Sequence, residues 1–321
     1  MKVLFQYFKP LLFFIFGIGL LVVSLKGVNS REFYDTLKHI PLRWVFLSMA
    51  LGYLAFIFRG LRWMLLIKPL GYTPKVSNLI HAIAFGYLFN SFIPRSGEVI
   101  RCTALNKVSD VPISKLFGHV LLERIIDFAL LFTCLFLSFL LNYNHFLLFF
   151  EDVVFPTQII IYLGLLFLLV VVGYKFFKHF LNSDQISKIN NFIHGIKVGF
   201  MSIKKIEKPF LFLLYTLLIW ACYLFMTVVC FYCFSETTSL TLNQGLFVMV
   251  AGGLGMVIPT PTGIGSYHYL VIKALVGFNI GLEIAQFFAI IVHSSQAIMI
   301  ISMGLVGMFI LYKEEIKFTH E

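Results

Sequence analysis

Uninterrupted apolar runs of about 20 residues, the length a helix needs to cross ~30 Å of hydrocarbon, recur along this chain. They fall at roughly 10–28, 44–67, 114–142, 157–180, 209–234 and 282–311. Composition agrees: of 321 residues, 60% are hydrophobic and 12% charged, whereas a soluble domain is nearer ~25% charged. The reading is an all-α polytopic membrane protein with about six full spans, residues 1–321 forming a single integral membrane domain. The first run follows Lys2 and Lys9 as a signal peptide would. It has no small-x-small cleavage site, and is expected to be a retained span.

The five cysteines (Cys102, Cys134, Cys222, Cys230 and Cys233) all lie in apolar segments. They read as small hydrophobes rather than a disulfide framework or metal site, and no cofactor is expected.

Lys and Arg set the orientation. None occurs between Arg124 and Lys175, whereas Lys175, Lys178, Lys188, Lys197, Lys204, Lys205 and Lys208 crowd the next loop. The basic loop should be cytoplasmic, with both termini on its side of a cell membrane. Its residues 181–208 read as an amphipathic interfacial linker with Ile186, Ile189, Ile193, Ile196 and Phe200 at helical spacing. Residues 29–43, with Arg31, Lys38 and Arg43 against Glu32 and Asp35, read as a short interfacial helix on the other side.

Two segments are too short and too broken to be spans. "VSNLIHAIAFGYLFNSFIP" stops at Pro94 and is followed by the charged "RSGEVIRCTALNK"; "LTLNQGLFVMVAGGLGMVIP" stops at Pro259 and passes through "TPTGIG" into "SYHYLVIKALVGF". Each is followed by a long span with polar residues in its first third, "GHVLLERIIDF" and "AIIVHSSQAIM". The same sequence of elements is written twice, at about 76–142 and 240–311. Counting spans, the two re-entrant hairpins enter from opposite faces, an inverted repeat of the kind found in secondary transporters.

The breaks supply the candidate substrate site. Pro94 ends one helix after Asn90, Gly97 allows the reversal, and the next helix starts with free N–H groups and a positive dipole end. Such an end attracts an anion. Arg95 adds charge, and Arg101 shares a face with Glu98 at i, i+3. His119, Glu123 and Asp127 share one face of the following span, with Arg124 beside it. These charges either line a polar cavity or form a structural ion-pair network, since each costs ~2.5–3.5 kcal/mol at mid-membrane unless paired. Arg59 and Arg62 read as side chains that snorkel to headgroups. In the second break Gly263, Gly265 and Ser266 open the helix, and His268 and His293 take equivalent places without fixed charge. A histidine titrates near ~6.5 when unperturbed, so this half would be the adjustable one.

"NSFIPRSGEVIR", "LLERIID" and "PTPTGIGSYH" resemble the signature stretches of a flippase-like membrane family that includes the transmembrane region of lysylphosphatidylglycerol synthases, also labelled dolichol-phosphate glucose synthetase-like. The resemblance runs over roughly 10–311 and implies translocation of a lipid. In that family an acidic residue is expected where this chain has His268 and often an Arg where it has His293, a departure that bears on substrate more than fold. The soluble aminoacyl-transferase domain of full-length synthases does not follow before Glu321, so synthase activity is not expected here.

Three function classes follow. The first is a flippase or transporter for an anionic or modified lipid, whether aminoacylated, glycosylated or polyprenyl-linked. The second is a membrane glycosyltransferase acting on a polyprenyl phosphate, against which stands the lack of D-x-D, H-E-x-x-H, G-x-S-x-G or a Walker loop. The third is a scaffold, which gains nothing from buried charge. The net charge of +10 is concentrated on the predicted cytoplasmic side and suits anionic lipid there rather than nucleic acid. Self-association into a homo-oligomer stays open. If the repeat is inverted, cysteines placed at positions 110 and 280 of a chain cleared of native cysteines will react with an impermeant thiol reagent from opposite faces; reaction from one face removes the inversion.

Overall fold

The structure, a computed structural model, describes residue 15 and residues 18–150, 183–258 and 260–320. The predicted run 157–180 lies outside them, and the first run is described only in part, as helix at 18–24. Among the described residues the fold is helical, without a strand. The predicted interfacial helix is α1 (Ser30–His39), capped by the Asn29 side chain and carrying the Lys38–Asp35 pair at 3.0 Å.

Among the described residues four helices are long and apolar enough to cross a membrane: α2 (Leu42–Ile67), α5 (Ile113–Leu141), α8 (Pro209–Val228, continuing as a 3-10 turn through Cys233) and α11 (Leu282–His320). They correspond to four of the predicted runs. Large apolar side chains point outward from them, with Phe132 65%, Phe210 77% and Phe309 57% exposed. In water such a surface would be a liability; in hydrocarbon it is the solvated face.

Between the long helices stand the two broken pairs, α3 (Val76–Asn90) with α4 (Gly97–Lys107), and α9 (Leu242–Val257) with α10 (Ser266–Gly277). A break in a buried helix strands backbone polar groups, and local side chains take them up. At the first turn the Asn90 Oδ1 accepts from Gly97 N at 2.7 Å, and Ser96 Oγ donates to Ile93 O at 2.8 Å. Arg95 adopts a left-handed φ of 64° to make the reversal. Gly97 faces Gly86 so closely that a Cβ on it would overlap the Gly86 carbonyl, which is why α3 and α4 can lie together. Pro259 lies outside the described residues. Beyond it the second turn runs through Thr262 (φ 50°), Gly263 (φ 76°) and Gly265 (φ 81°).

The pairs pack crosswise onto the long helices. α3 runs antiparallel to α11, with Gly304 against Ala84 and Leu88 and Gly307 against His81. α9 runs antiparallel to α5, from Gly253 on Leu131 to Asn142 Nδ2 donating to Asn243 O at 3.2 Å. The ends of the first pair, Lys75 and Lys107, meet Glu314 and Glu315 at the close of α11, at 2.6 and 2.9 Å. The ends of the second lie by α6 (Tyr143–Phe150), where His145 stacks on Phe278 at 4.8 Å. The two turns meet in between: Arg95 Nη2 donates to Val257 O at 2.8 Å. One apolar core surrounds each pair.

The predicted linker contains α7 (Ser183–Met201) followed by a 3-10 turn. Its closest approach to α5 is made at glycines, which bring the backbone at Ile196 and Phe200 of the stripe against Gly118. Gly195 sits on Ser114, and Gly199 and Gly118 leave no room for a Cβ against the opposite backbone. Ile193, on the stripe, stays 50% exposed.

Adding a methyl group tests these contacts. Gly97→Ala is expected to lower stability by about 1–3 kcal/mol, the cost of overpacking, read as thermal unfolding in mild detergent. Gly277→Ala, which meets nothing within 4 Å, is expected to change it by less than about 0.5 kcal/mol.

Candidate functional site

The first turn delivers α4 to the middle of α2 and α5, and the charges of the three helices meet there. Arg101, one turn into α4, lies between two carboxylates: its Nε is 2.9 Å from Glu98 Oε2 and its Nη2 2.6 Å from Glu123 Oε2. Its guanidinium also covers the Trp63 ring at 4.9 Å, a cation–π contact strengthened by burial. Asp127, one helical turn beyond Glu123, accepts from Arg59 Nη2 and Arg62 Nη1 at 3.1 Å each and lies 3.2 Å from Arg124 Nη2. Arg59 Nε donates to the Tyr223 hydroxyl of α8 at 2.9 Å. Arg62 Nη2 and Glu123 Oε1 are 3.8 Å apart.

Arg59 and Arg62 do not snorkel. They are 4% and 0% exposed and turn inward because Asp127 and Glu123 stand opposite; pairing offsets the desolvation that would otherwise drive them to the headgroups. Sequence reasoning also passed over Tyr87, Tyr223 and Trp63, which support the arginines from three helices. Arg95, in contrast, stands apart from the network on the carbonyl of Val257, at the negative end of α9. His119 is fully buried on the same face of α5 as Glu123, with neither ring nitrogen bonded to protein.

Four arginines thus face three carboxylates, one positive charge in excess. The cluster borders a small, shallow cleft lined by Arg59, Tyr87, Asn90, Gly97, Glu98, Arg101 and Arg124 among others. Arg124 and Glu98 form its exposed edge, their side chains 35% and 27% accessible. A site of this kind can hold an anion without any metal ion.

At the second turn the groups are neutral. Ser266 Oγ donates to Gly255 O at 2.8 Å and lies 3.0 Å from Thr260 Oγ1. His293 Nε2 donates to Thr262 O at 2.9 Å, which places its proton on that nitrogen, and His268 Nδ1 accepts from Gly265 N at 3.4 Å. The two imidazoles lie 4.6 Å apart, with Tyr267 beside them. His268 and His293 hold the turn together, and Gly263 and Gly265 give it its shape. Neither histidine lines the cleft of the first turn.

Fold and site define a helical integral membrane protein with a paired but uncompensated charge centre beside the first of its two helix breaks. The chain belongs to the family described as lysylphosphatidylglycerol synthase TM region, which its residues 10–304 match. It is also similar to UPF0104 membrane protein MJ1595 of Methanocaldococcus jannaschii, with 26% identity over 84% of this chain and 85% of that one. No solved structure matches it.

Removing one partner of a buried pair leaves an uncompensated charge. Glu123→Gln is therefore expected to destabilise the protein by about 3–5 kcal/mol, measured by thermal unfolding in mild detergent. Lys38→Ala, which breaks the exposed Lys38–Asp35 pair and the Lys38 contact with the Tyr34 ring, is expected to cost about 1 kcal/mol or less.

Proposed function

We propose that the protein is a lipid transporter of the flippase type, moving an anionic or modified lipid across the cytoplasmic membrane, with both termini on the cytoplasmic side. The observation that carries this reading is the excess positive charge of the Arg59, Arg62, Arg101 and Arg124 cluster, placed at a cleft between broken helices. A bundle that only needed to hold together would gain nothing from it, because a charge at mid-membrane costs ~2.5–3.5 kcal/mol. A headgroup that crosses needs such a partner on the way. The family's description names the membrane region of a lipid synthase, which favours lipid as the cargo.

In this reading the two broken pairs are re-entrant hairpins of an inverted repeat. Support comes from their ends, one pair beside Glu314 and Glu315 and the other beside α6, and from the contact of their turns through Arg95 and Val257. The first hairpin would hold the headgroup, and the second, whose turn groups Thr260, Ser266, His268 and His293 are neutral, would form the opposite wall. Acyl or polyprenyl chains stay in the bilayer against the apolar outer faces. The protein's own chemistry is then binding and release, with no bond made or broken, and anionic lipid at the basic cytoplasmic face is a further partner.

The test is lipid movement by protein reconstituted in vesicles, followed with a headgroup-accessible fluorescent anionic lipid. A charge-assisted hydrogen bond is worth about 1.5–3 kcal/mol, so Arg124→Ala should slow movement by about tenfold or more, while the outward-facing Phe309→Ala should leave it unchanged. Wild-type protein that moves no lipid, or an Arg124→Ala variant that moves it at the wild-type rate, removes the proposal.

A further inference from the structure

The ion network leaves unbonded polar atoms in two places: Arg62 Nε and Nη2 with Glu123 Oε1 in its interior, and Arg101 Nε and Arg124 Nε around Glu98 at the cleft. Arg59, Arg62 and Arg101 Nη2 hold Asp127 and Glu123 at 2.6–3.1 Å. Glu98 is bound differently. It lies 2.9 Å from Arg101 Nε and 3.5 Å from Arg124 Nε, yet neither nitrogen is aligned to donate a hydrogen bond to it. Arg101 is 4% exposed and lines the cleft, and its buried Nε, though 2.9 Å from Glu98 Oε2, makes no hydrogen bond. Glu98 neutralises charge at this edge without satisfying the donors that carry it.

A carboxylate offers two coplanar oxygens and one charge. A phosphate offers a tetrahedral set of oxygens, and two diverging guanidinium Nε donors suit it better. Glu98 also occupies the first turn of α4, where a helix start favours negative charge of either kind. Its departure would not loosen the turn, since Gly97 N is held by Asn90.

We propose that Glu98 is an internal stand-in for a phosphate group, which binds at the Arg101–Arg124 edge by displacing the Glu98 side chain. The proposal deepens the transport reading and rests on it only for the source of the phosphate. The ligand chemistry is a phosphate ester or phosphate ion; the competing carboxylate sets its affinity low enough for release.

The experiment is calorimetric titration of detergent-purified protein with inorganic phosphate and with short-chain phosphatidylglycerol, for wild type, Glu98→Gln, Glu98→Asp and Arg124→Gln, each first checked as monodisperse. Loss of the competing charge in Glu98→Gln should tighten binding by about tenfold or more, and loss of a charged donor in Arg124→Gln should weaken it as much. Glu98→Asp, which keeps the charge on a shorter arm, should fall between wild type and Glu98→Gln. Tightening for phosphatidylglycerol alone assigns the phosphate to a lipid headgroup; tightening for both, with mutual competition, extends the site to free phosphate. Unchanged affinity for both ligands in Glu98→Gln overturns the proposal, even if the wild type moves lipid in vesicles, in which case the transport reading stands and the headgroup lies elsewhere. Tightening in a protein that moves no lipid keeps the subsite and removes transport.

Discussion

Asp127 is shared by three guanidinium groups, from Arg59, Arg62 and Arg124, and the arrangement of helices around it follows from what hydrocarbon does to charge. No lipid tail can solvate an arginine, so each one in the bundle must find a carboxylate from another element or from the next turn of its own. Arg59 and Arg62 come from α2, Asp127 and Glu123 from α5, and Arg101 and Glu98 from α4; Tyr223 of α8 completes the coordination of Arg59. Four helices are fixed to one another by groups that cannot be satisfied separately. Such a network adds little net stability over a well-packed apolar core. Its effect is specificity: any other placement of the α3–α4 pair leaves a charge unpaired.

The second constraint is the backbone. Each break in a membrane-buried helix exposes N–H and C=O groups that lipid cannot bond, and the two turns solve this with different chemistry. The first uses Asn90 and Ser96 and leaves its arginines for the charge centre. The second uses Ser266, Thr260, His268 and His293 on its own carbonyls and amides. Arg95 is where the two solutions touch, since its side chain takes up a carbonyl that the end of α9 leaves open. The halves are alike in their order of elements and unlike in charge.

How much of this the sequence discloses depends on whether the signal is local. The four long helices, the two breaks, α1 and the helical linker follow from apolar runs, Pro and Gly, and helical spacing, all of which are read within one segment. So is the Glu98–Arg101 contact, an i, i+3 pair on one helix. Arg59 and Arg62 were misjudged because their partners are on α5, more than sixty residues away, and position in a span alone favours snorkelling. Tyr87, Tyr223 and Trp63 carried no signal in a chain that is 17% aromatic. In α7 the isoleucine stripe drew attention, although the spacing of Gly195 and Gly199 is the pattern by which membrane helices approach closely. His119 was correctly placed on the face of Glu123, but that face meets protein there rather than an open cavity.

The count of four arginines to three carboxylates bears on function more directly than any single contact. A network selected only for stability would close with equal numbers, because a buried excess charge raises the energy of the folded protein and returns nothing in packing. The excess is also not distributed at random. Arg62 is fully buried, and Arg59 and Arg101 reach the cleft while only 4% exposed; Arg124 is a third exposed there, 3.5 Å from Glu98 and 3.2 Å from Asp127. The accessible part of the described network is therefore its Arg124–Glu98 edge. At the second turn the described groups are neutral, and the contact with the first is made by Arg95 on the Val257 carbonyl, so among the described residues the turn supplies no carboxylate to offset the excess.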